Sequence, residues 1–121
     1  MLLARLRLES PMNLPNSENA VVDLEKLVDY CLSSDHPRGK HKARVFQSAC
    51  GLSDQDGELL RRQLLTAAAE KDAAPMKSDS HGERYVVECV IDGPTGRALV
   101  RTAWIVRRDE DFPRFVSAYV I

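Results

Sequence analysis

The sequence ERYVVECVIDGPTGRALVRTAWIVRR (residues 83–108) carries the strongest structural pattern in this chain. Apolar and polar side chains alternate on both sides of the turn DGPTG at 92–96. A period of two residues predicts β-strands, and a short turn containing Gly and Pro predicts an antiparallel hairpin. The first strand then places four apolar side chains on one side, namely Tyr85, Val87, Cys89 and Ile91.

Upstream of this hairpin, the apolar residues recur at helical spacing. The segments DLEKLVDYCLS at 23–33 and KHKARVFQSAC at 40–50 each place an apolar stripe along one helix face. Gly51 stands where a helix commonly ends, directly after the second segment. A capping box that begins at Ser53 predicts the start of a third helix, which runs to about Lys71.

Downstream of the hairpin, the turn DEDFP at 109–113 leads to a last strand, RFVSAYVI at 114–121. Helices followed by consecutive antiparallel strands indicate an α+β fold, with three N-terminal helices packed on one face of a small antiparallel sheet of three to four strands. We therefore expect a single α+β domain over residues 12–121. It comprises a helical half at 17–71, a connection at 72–82 and a sheet half at 83–121, and residues 1–11 form a leader or an edge strand.

The composition excludes several classes of protein. With 44% hydrophobic and 29% charged residues, the 121-residue chain is globular rather than wholly disordered. Its 17 Lys and Arg against 18 Asp and Glu exclude a histone-like protein coated in positive charge. The three cysteines have no zinc spacing, and no nucleotide-binding glycine motif is present, so we expect neither metal nor cofactor. The reduced thiols and the absence of an apolar run of membrane length favour a cytoplasmic protein without membrane contact.

The densest functional pattern is HPRGKHKAR at residues 36–44. It contains four permanent positive charges and two imidazoles but no carboxylate. Such a cluster at the start of a helix suits polyanion binding, and its imidazoles can serve as base and acid. The alternative is a solvated basic helix start. The candidate residues are His36, Arg38, Lys40, His41, Lys42 and Arg44.

Lys42 differs from its basic neighbours in its position on the helix. A helical wheel places it on the same face as Ala43 and Phe46, whereas Lys40 and Arg44 lie on the opposite side. A lysine on a core-facing stripe extends its ammonium to solvent, pairs with a partner, or works at a cleft. Lys42 is therefore better placed than Lys40 to face the sheet.

The second strand of the hairpin carries the remaining candidates. Thr102 and Trp104 share one face with apolar residues, and Arg101 and Arg107 share the other. If helices cover the first face, we expect Thr102 near Lys42 and Trp104 either in the core or as a stacking wall. If the second face is open, the two arginines form a basic stripe beside a cleft.

Two segments, LPNSENAVVDLEKLVDYCLSSDHPRGKHKARVFQSACGLS at 14–53 and RTAWIVRRDEDFPRFVSAYVI at 101–121, share a pattern with a known group of domains. The pattern is Tyr-x-Leu, then H-P-x-G-x-x-K-A-x-x-F, then a strand with Trp before a Pro-containing turn. By it, residues 12–121 resemble a family of small bacterial domains of unknown function found in toxin–antitoxin and contact-dependent toxin settings. The matching positions are Tyr30, Leu32, His36, Pro37, Gly39, Lys42, Ala43, Phe46, Trp104 and Pro113.

These domains look similar to compact ribonucleases of the barnase, EndoU, colicin and RelE type. The resemblance implies metal-independent RNA cleavage, in which a ribose 2′-hydroxyl attacks its own phosphate to give a 2′,3′-cyclic product. It implies His36 and His41 as base and acid, Lys42 with an arginine as charge stabilisers, and Thr102 as a phosphate-orienting group. Unlike barnase-like enzymes, the sequence offers no obvious catalytic Glu, since Glu88 lies in the sheet without a supporting motif. The expected RNA-binding residues are Arg38, Lys40, Arg44, Arg101, Trp104 and Arg107.

Two readings of function follow. The leading hypothesis is a toxin-type endoribonuclease that acts on tRNA or translating mRNA and is neutralised by a cognate antitoxin or immunity protein. The alternative is a non-enzymatic interaction module, such as an antitoxin, immunity or adaptor protein, which the near-neutral net charge favours slightly. If the last strand lies at a sheet edge, two copies can also pair along it as a homodimer.

Overall fold

The computed structural model describes residues 13–33 and 40–121, with the side chain of Tyr30 excepted. In these ranges α1 begins as an α-turn at Leu24–Lys26 and continues as a π-helix at Leu27–Leu32. The other helices are α2 (Lys40–Cys50) and α3 (Gly57–Glu70), and short 3₁₀ turns lie at Ser17–Asn19 and Asp54–Asp56. The strands are β1 (Ala73–Pro75), β2 (Gly82–Gly93), β3 (Gly96–Arg107) and β4 (Pro113–Val120). The α+β class is thus confirmed.

Over the described part of the chain, the strands form one antiparallel sheet in the order β1-β2-β3-β4. The predicted hairpin forms the centre of this sheet, with β2 and β3 paired from Gly82 and Arg107 to Gly93 and Gly96. Its loop is tighter than the sequence suggested, because the strands continue to the two glycines. A β-bulge interrupts the pairing of β3 with β4 next to Trp104.

The short strand β1 lies inside the segment that the sequence analysis treated as a surface connection, so that expectation is corrected. Ala73 pairs with Val87 and is buried against the core. The tripeptide Ala-Ala-Pro has no β-branched or aromatic side chain, and therefore no strand propensity marks it. The strand forms because its backbone pairs with that of β2. The expected leader or edge strand at 1–11 lies outside the described residues.

The helices cover one face of the sheet and enclose the core. Phe46 of α2 and Leu60 and Leu64 of α3 are fully buried there with Val87 and Val100 of the sheet. Cys31, Cys50 and Cys89 are free thiols in this core, and burial raises the pKa of each thiol. The opposite face of the sheet carries the other alternating set of side chains, and we call it the open face.

The hairpin tip is docked on the C-terminal end of α2. The amide of Thr95 donates a hydrogen bond to the Cys50 carbonyl at 3.0 Å. A Cβ atom on Gly93 would collide with that same carbonyl, so only glycine allows this close approach. Gly51 ends α2 with a left-handed φ of 79°, as its place in the sequence predicted. Helix α2 is therefore fixed to the hairpin at one end.

The edge of β4 is partly covered by the N-terminal part of the chain. Val21 exchanges two 2.9 Å backbone hydrogen bonds with this strand, from its amide to Pro113 and from Phe115 to its carbonyl. A homodimer paired along β4 would have to break these contacts.

Candidate functional site

The open face is organised in rows of side chains that run across β2, β3 and β4. Because residues directly opposite in antiparallel strands lie side by side, the strand register defines each row. The row nearest the hairpin tip is apolar, the second is charged and the fourth is basic. The third has no charged or aromatic side chain and includes two small ones, so we call it the small row. In order from the hairpin tip they are Val90–Leu99–Ile121, Glu88–Arg101–Tyr119, Val86–Ala103–Ser117 and Arg84–Ile105–Arg114.

The charged row forms a connected hydrogen-bond network. Arg101 donates from Nε and Nη2 to Oε2 of Glu88, at 2.9 and 2.7 Å, and from Nη1 to Oη of Tyr119 at 3.3 Å. The bond to Glu88, followed by that to Tyr119, raises the pKa of Arg101 further above its already high value. Arg101 is thus a permanent cation whose guanidinium is held in place from both neighbouring strands.

Lys42 of α2 reaches this row at Tyr119. Its Nζ lies 5.6 Å from the centroid of the Tyr119 ring, and Cζ of Arg101 lies 6.0 Å from the same centroid. Both distances are in the range of a cation–π contact. The tyrosine therefore joins two cationic groups from a helix and a strand, and together with Glu88 they form what we call the Tyr119 cluster.

A groove between α2 and β4 adjoins the Tyr119 cluster. It has a volume of about 340 Å³ and is lined by His41, Lys42, Val45, Tyr119 and Val120. His41 is exposed at the groove, so an imidazole, an ammonium and a phenol share one concave surface. Such a surface combines apolar contact with groups that bind anions or transfer protons.

Thr102 and Trp104 do not belong to this surface, and their expected roles are corrected. Their exposures are 0% and 1%. The Thr102 hydroxyl donates to the Val87 carbonyl at 2.7 Å and accepts from Nε1 of Trp104 at 2.8 Å. The indole also packs edge-on against Phe115, with ring centroids 5.6 Å apart. Both side chains are therefore satisfied within the core, out of reach of a phosphate or a base.

Three of the remaining candidates lie at two separate places in the described part of the chain, and two lie outside it. Lys40 is half-buried and Arg44 exposed at the start of α2. Arg107 lies six residues from Arg101 along β3, about 20 Å away, so the two arginines do not flank one cleft. His36 and Arg38 lie outside the described residues.

Sequence reasoning missed Tyr119 and did not connect Glu88 to a partner. The signal that could have found both is the hairpin register. Pairing Gly93 with Gly96 places Glu88 opposite Arg101, and one further pairing step places Tyr119 on the other side. The expected five-residue loop did not define this register.

Residues 13–33 and 40–121 contain neither a candidate metal centre nor a helix suited to a membrane span. No group of three or more His, Cys, Asp and Glu side chains could hold a metal ion there. None of the helices in these ranges has the length and apolar character needed to cross a membrane.

Comparison with known proteins places the fold and the family. No curated protein matches the sequence. A chain of the contact-dependent growth inhibition toxin–immunity protein complex from Klebsiella pneumoniae 342 has a similar fold, with a TM-score of 0.61, 19% identity, and coverage of 82% of this chain and 97% of that one. Residues 13–121 match DUF6883, described as a domain of unknown function. Because the match spans nearly the whole sequence, the chain belongs to the DUF6883 family.

Proposed function

We propose that this chain is a toxin-type, metal-independent endoribonuclease whose reaction takes place at the Tyr119 cluster. In the reaction a ribose 2′-hydroxyl loses its proton to a base and attacks the adjacent phosphorus. The bond from phosphorus to the 5′-oxygen breaks, that oxygen takes up a proton, and a 2′,3′-cyclic phosphate remains. The observation that carries the proposal is the contact of both Lys42 and Arg101 with the ring of Tyr119.

The charge of the transition state explains why two cations are needed. Negative charge grows on the non-bridging phosphate oxygens as the fifth bond to phosphorus forms, and preorganised cations stabilise it. Arg101 is held by Glu88, which keeps the guanidinium in one orientation for a bidentate contact. Lys42 adds a point charge from the helix side.

Proton transfer is assigned to the imidazoles. His41 lines the groove beside Lys42 and is exposed, so it is accessible to substrate. We assign His41 and His36 to the base and acid roles, as the sequence analysis expected. Glu88 is committed to two hydrogen bonds from Arg101, which favours a positioning role for this carboxylate.

The fold supports a role in a bacterial toxin system. The similar chain comes from a complex of a contact-dependent growth inhibition toxin with its immunity protein. We infer a cytoplasmic RNA target and a cognate protein that neutralises the activity. The proposed substrates are RNAs used in translation, namely tRNA or translating mRNA.

The experiment is cleavage of total RNA by the purified protein in EDTA, followed by detection of 2′,3′-cyclic phosphate ends. We expect cleavage by the wild type and losses of at least about a hundredfold in Arg101→Ala and Lys42→Ala, the scale of a lost transition-state contact. Arg97→Ala is the matched control, because Arg97 also pairs across the hairpin, with Asp92 at 2.7 Å, but lies away from the cluster. Full activity of both cluster variants, or no cleavage by the wild type, would remove the proposal.

A specific observation favours the alternative of a non-enzymatic interaction module. The apolar row at the hairpin end is about half exposed, with values of 52% for Val90, 48% for Leu99 and 50% for Ile121. Contiguous exposed apolar side chains are typical of protein-binding surfaces. Induced expression in a bacterial host distinguishes the two functions, since a ribonuclease toxin without its partner arrests growth and an immunity or adaptor protein does not.

A further inference from the structure

A second cavity lies at the end of the open face opposite the apolar row. Its volume is about 380 Å³, and the basic row Arg84–Ile105–Arg114 forms part of its lining. The apolar part of its lining includes Ile105, Val116 and Val21. Its cationic side chains are Lys26, Arg84, Arg107 and Arg114, and the imidazole of His81 also lines it. The chemistry assigned to the Tyr119 cluster uses none of these groups.

The arginines of this cavity are held from outside by carboxylates. Asp79 accepts from Nε of Arg84 at 2.7 Å, and Glu110 accepts from Nε and Nη2 of Arg114, both at 2.8 Å. Neither carboxylate is part of the cavity lining. These pairs orient the two guanidinium groups, while part of each remains available to a ligand because a guanidinium has five donors.

Arg107 completes the cationic rim with a more accessible side chain. It is 54% exposed, and its contact with Glu110 is 4.0 Å long. The acidic residue of the lining is Asp23. Its Oδ1 accepts a hydrogen bond from the backbone amide of Lys26 and so caps the start of α1. Cationic groups therefore outnumber carboxylates in the cavity wall, so an anionic ligand is favoured.

The cavity and the Tyr119 cluster lie on one continuous path. Ile105 is four residues from Arg101 along β3, a distance of about 13 Å. Between them runs the small row, in which Ala103 and Ser117 leave the surface low. An extended chain lying along β3 can therefore contact both the cavity and the Tyr119 cluster without a bulky side chain of β3 between them.

We propose that this cavity is a nucleotide subsite for single-stranded RNA, in which the arginines bind a phosphate and the apolar floor packs against the base. An apolar floor beside cationic donors matches the two parts of a nucleotide. Bases inside a duplex are stacked on each other and cannot reach such a floor, which makes the single strand the substrate class. The assignment rests on the ribonuclease function proposed above, because it places a neighbouring nucleotide of the same strand.

The test is binding of a fluorescent 2′-O-methyl hexaribonucleotide, which has no free 2′-hydroxyl and cannot be cleaved, measured by anisotropy at fixed salt. We expect about tenfold weaker binding in Arg84→Ala and in Arg107→Ala, the loss of one charge-assisted contact to phosphate. Arg97→Ala is the matched control, because the Arg97–Asp92 pair has the same 2.7 Å Nε contact as Arg84–Asp79 and lies at the far end of the hairpin. This variant should bind within about twofold of the wild type.

The outcomes separate this assignment from the proposed reaction. Equal binding by both cavity variants and the control, or equal competition by a duplex of the same sequence, would overturn the subsite. Competition by polyglutamate at equal charge concentration would also overturn it, since that result indicates a site for an acidic protein. Binding that follows the prediction while ribose RNA stays uncut would remove the ribonuclease function and leave the subsite. Arg107→Ala is the variant least expected to disturb folding. Within the described residues, the only ion pair of Arg107 is its 4.0 Å contact with Glu110.

Discussion

Thr102→Val is the substitution whose effect the structure defines most sharply. The change keeps the shape of the side chain, so it opens no cavity, but it removes the hydroxyl that accepts from Nε1 of Trp104 and donates to the Val87 carbonyl. The indole N–H then has no acceptor in a fully buried position. Leaving a buried donor unsatisfied costs about 1–3 kcal/mol, so we expect a loss of roughly 2 kcal/mol in the free energy of unfolding.

The measurement is urea unfolding of the wild type, Thr102→Val, Trp104→Phe and the double variant. Phe has no N–H, so most of the cost of Thr102→Val should disappear in the Trp104→Phe background. We expect a coupling of at least about 1 kcal/mol in this double-mutant cycle. Additive effects, or an unchanged urea midpoint in Thr102→Val, would refute the account of the two residues as a buried hydrogen-bonded pair. Activity should follow stability in these variants, since neither side chain reaches the open face.

Three further predictions concern other parts of the molecule. Gly93→Ala should lower the free energy of unfolding, measured by urea titration, by at least about 2 kcal/mol, because the new Cβ meets a backbone carbonyl at the end of α2. An unchanged urea midpoint would contradict the close contact between the hairpin tip and α2. Glu88→Gln should reduce RNA cleavage at least about tenfold, since Arg101 loses the carboxylate that orients it. The urea midpoint should change little, because this ion pair is exposed to solvent. Cleavage at the wild-type rate would exclude the positioning role of Glu88. The hydrogen bonds from Arg114 lower the pKa of Glu110, so this pair should stabilise the fold above about pH 4.5 and lose that contribution as pH falls through the lowered value. Urea midpoints between pH 3 and 7 should therefore fall less steeply in Glu110→Gln, and parallel curves for the two proteins would contradict this.

The parts of the fold that were predictable depend on patterns local in sequence. Alternation in the hairpin, the glycine at position 51 and the capping box at Ser53 each act over a few residues. Ser53 indeed forms the predicted box, with its amide donating to Asp56 at 2.9 Å and its hydroxyl accepting from Gln55 at 3.3 Å. Local patterns of this kind also placed Lys42 on the sheet side of α2.

The features that were not predictable depend on pairings between distant segments. Strand β1 forms because Ala73 pairs with Val87 of β2, and nothing in the sequence of β1 itself predicts a strand. Thr102 was expected to orient a phosphate near Lys42, whereas its buried hydroxyl is bonded to Val87 and to Trp104, which lies next to a β-bulge. The Tyr119 cluster combines α2, β2, β3 and β4, so only a correct register along three strands reveals it. The same long-range dependence hid the cavity around Arg84 and Arg114, whose lining combines residues from 21–26, 81–84 and 105–116.

The contact between the hairpin tip and α2 has a mechanical consequence. Helix α2 is anchored through Cys50 at one end and presents Lys42 about 12 Å away at the other. The hairpin that supplies the anchor also carries Arg101, about 16 Å from the tip. The two cations that contact Tyr119 therefore belong to two elements that are joined directly at the hairpin tip. A substitution at the turn that breaks the contact with α2 is therefore expected to shift Lys42 relative to Arg101, although neither residue lies at the turn.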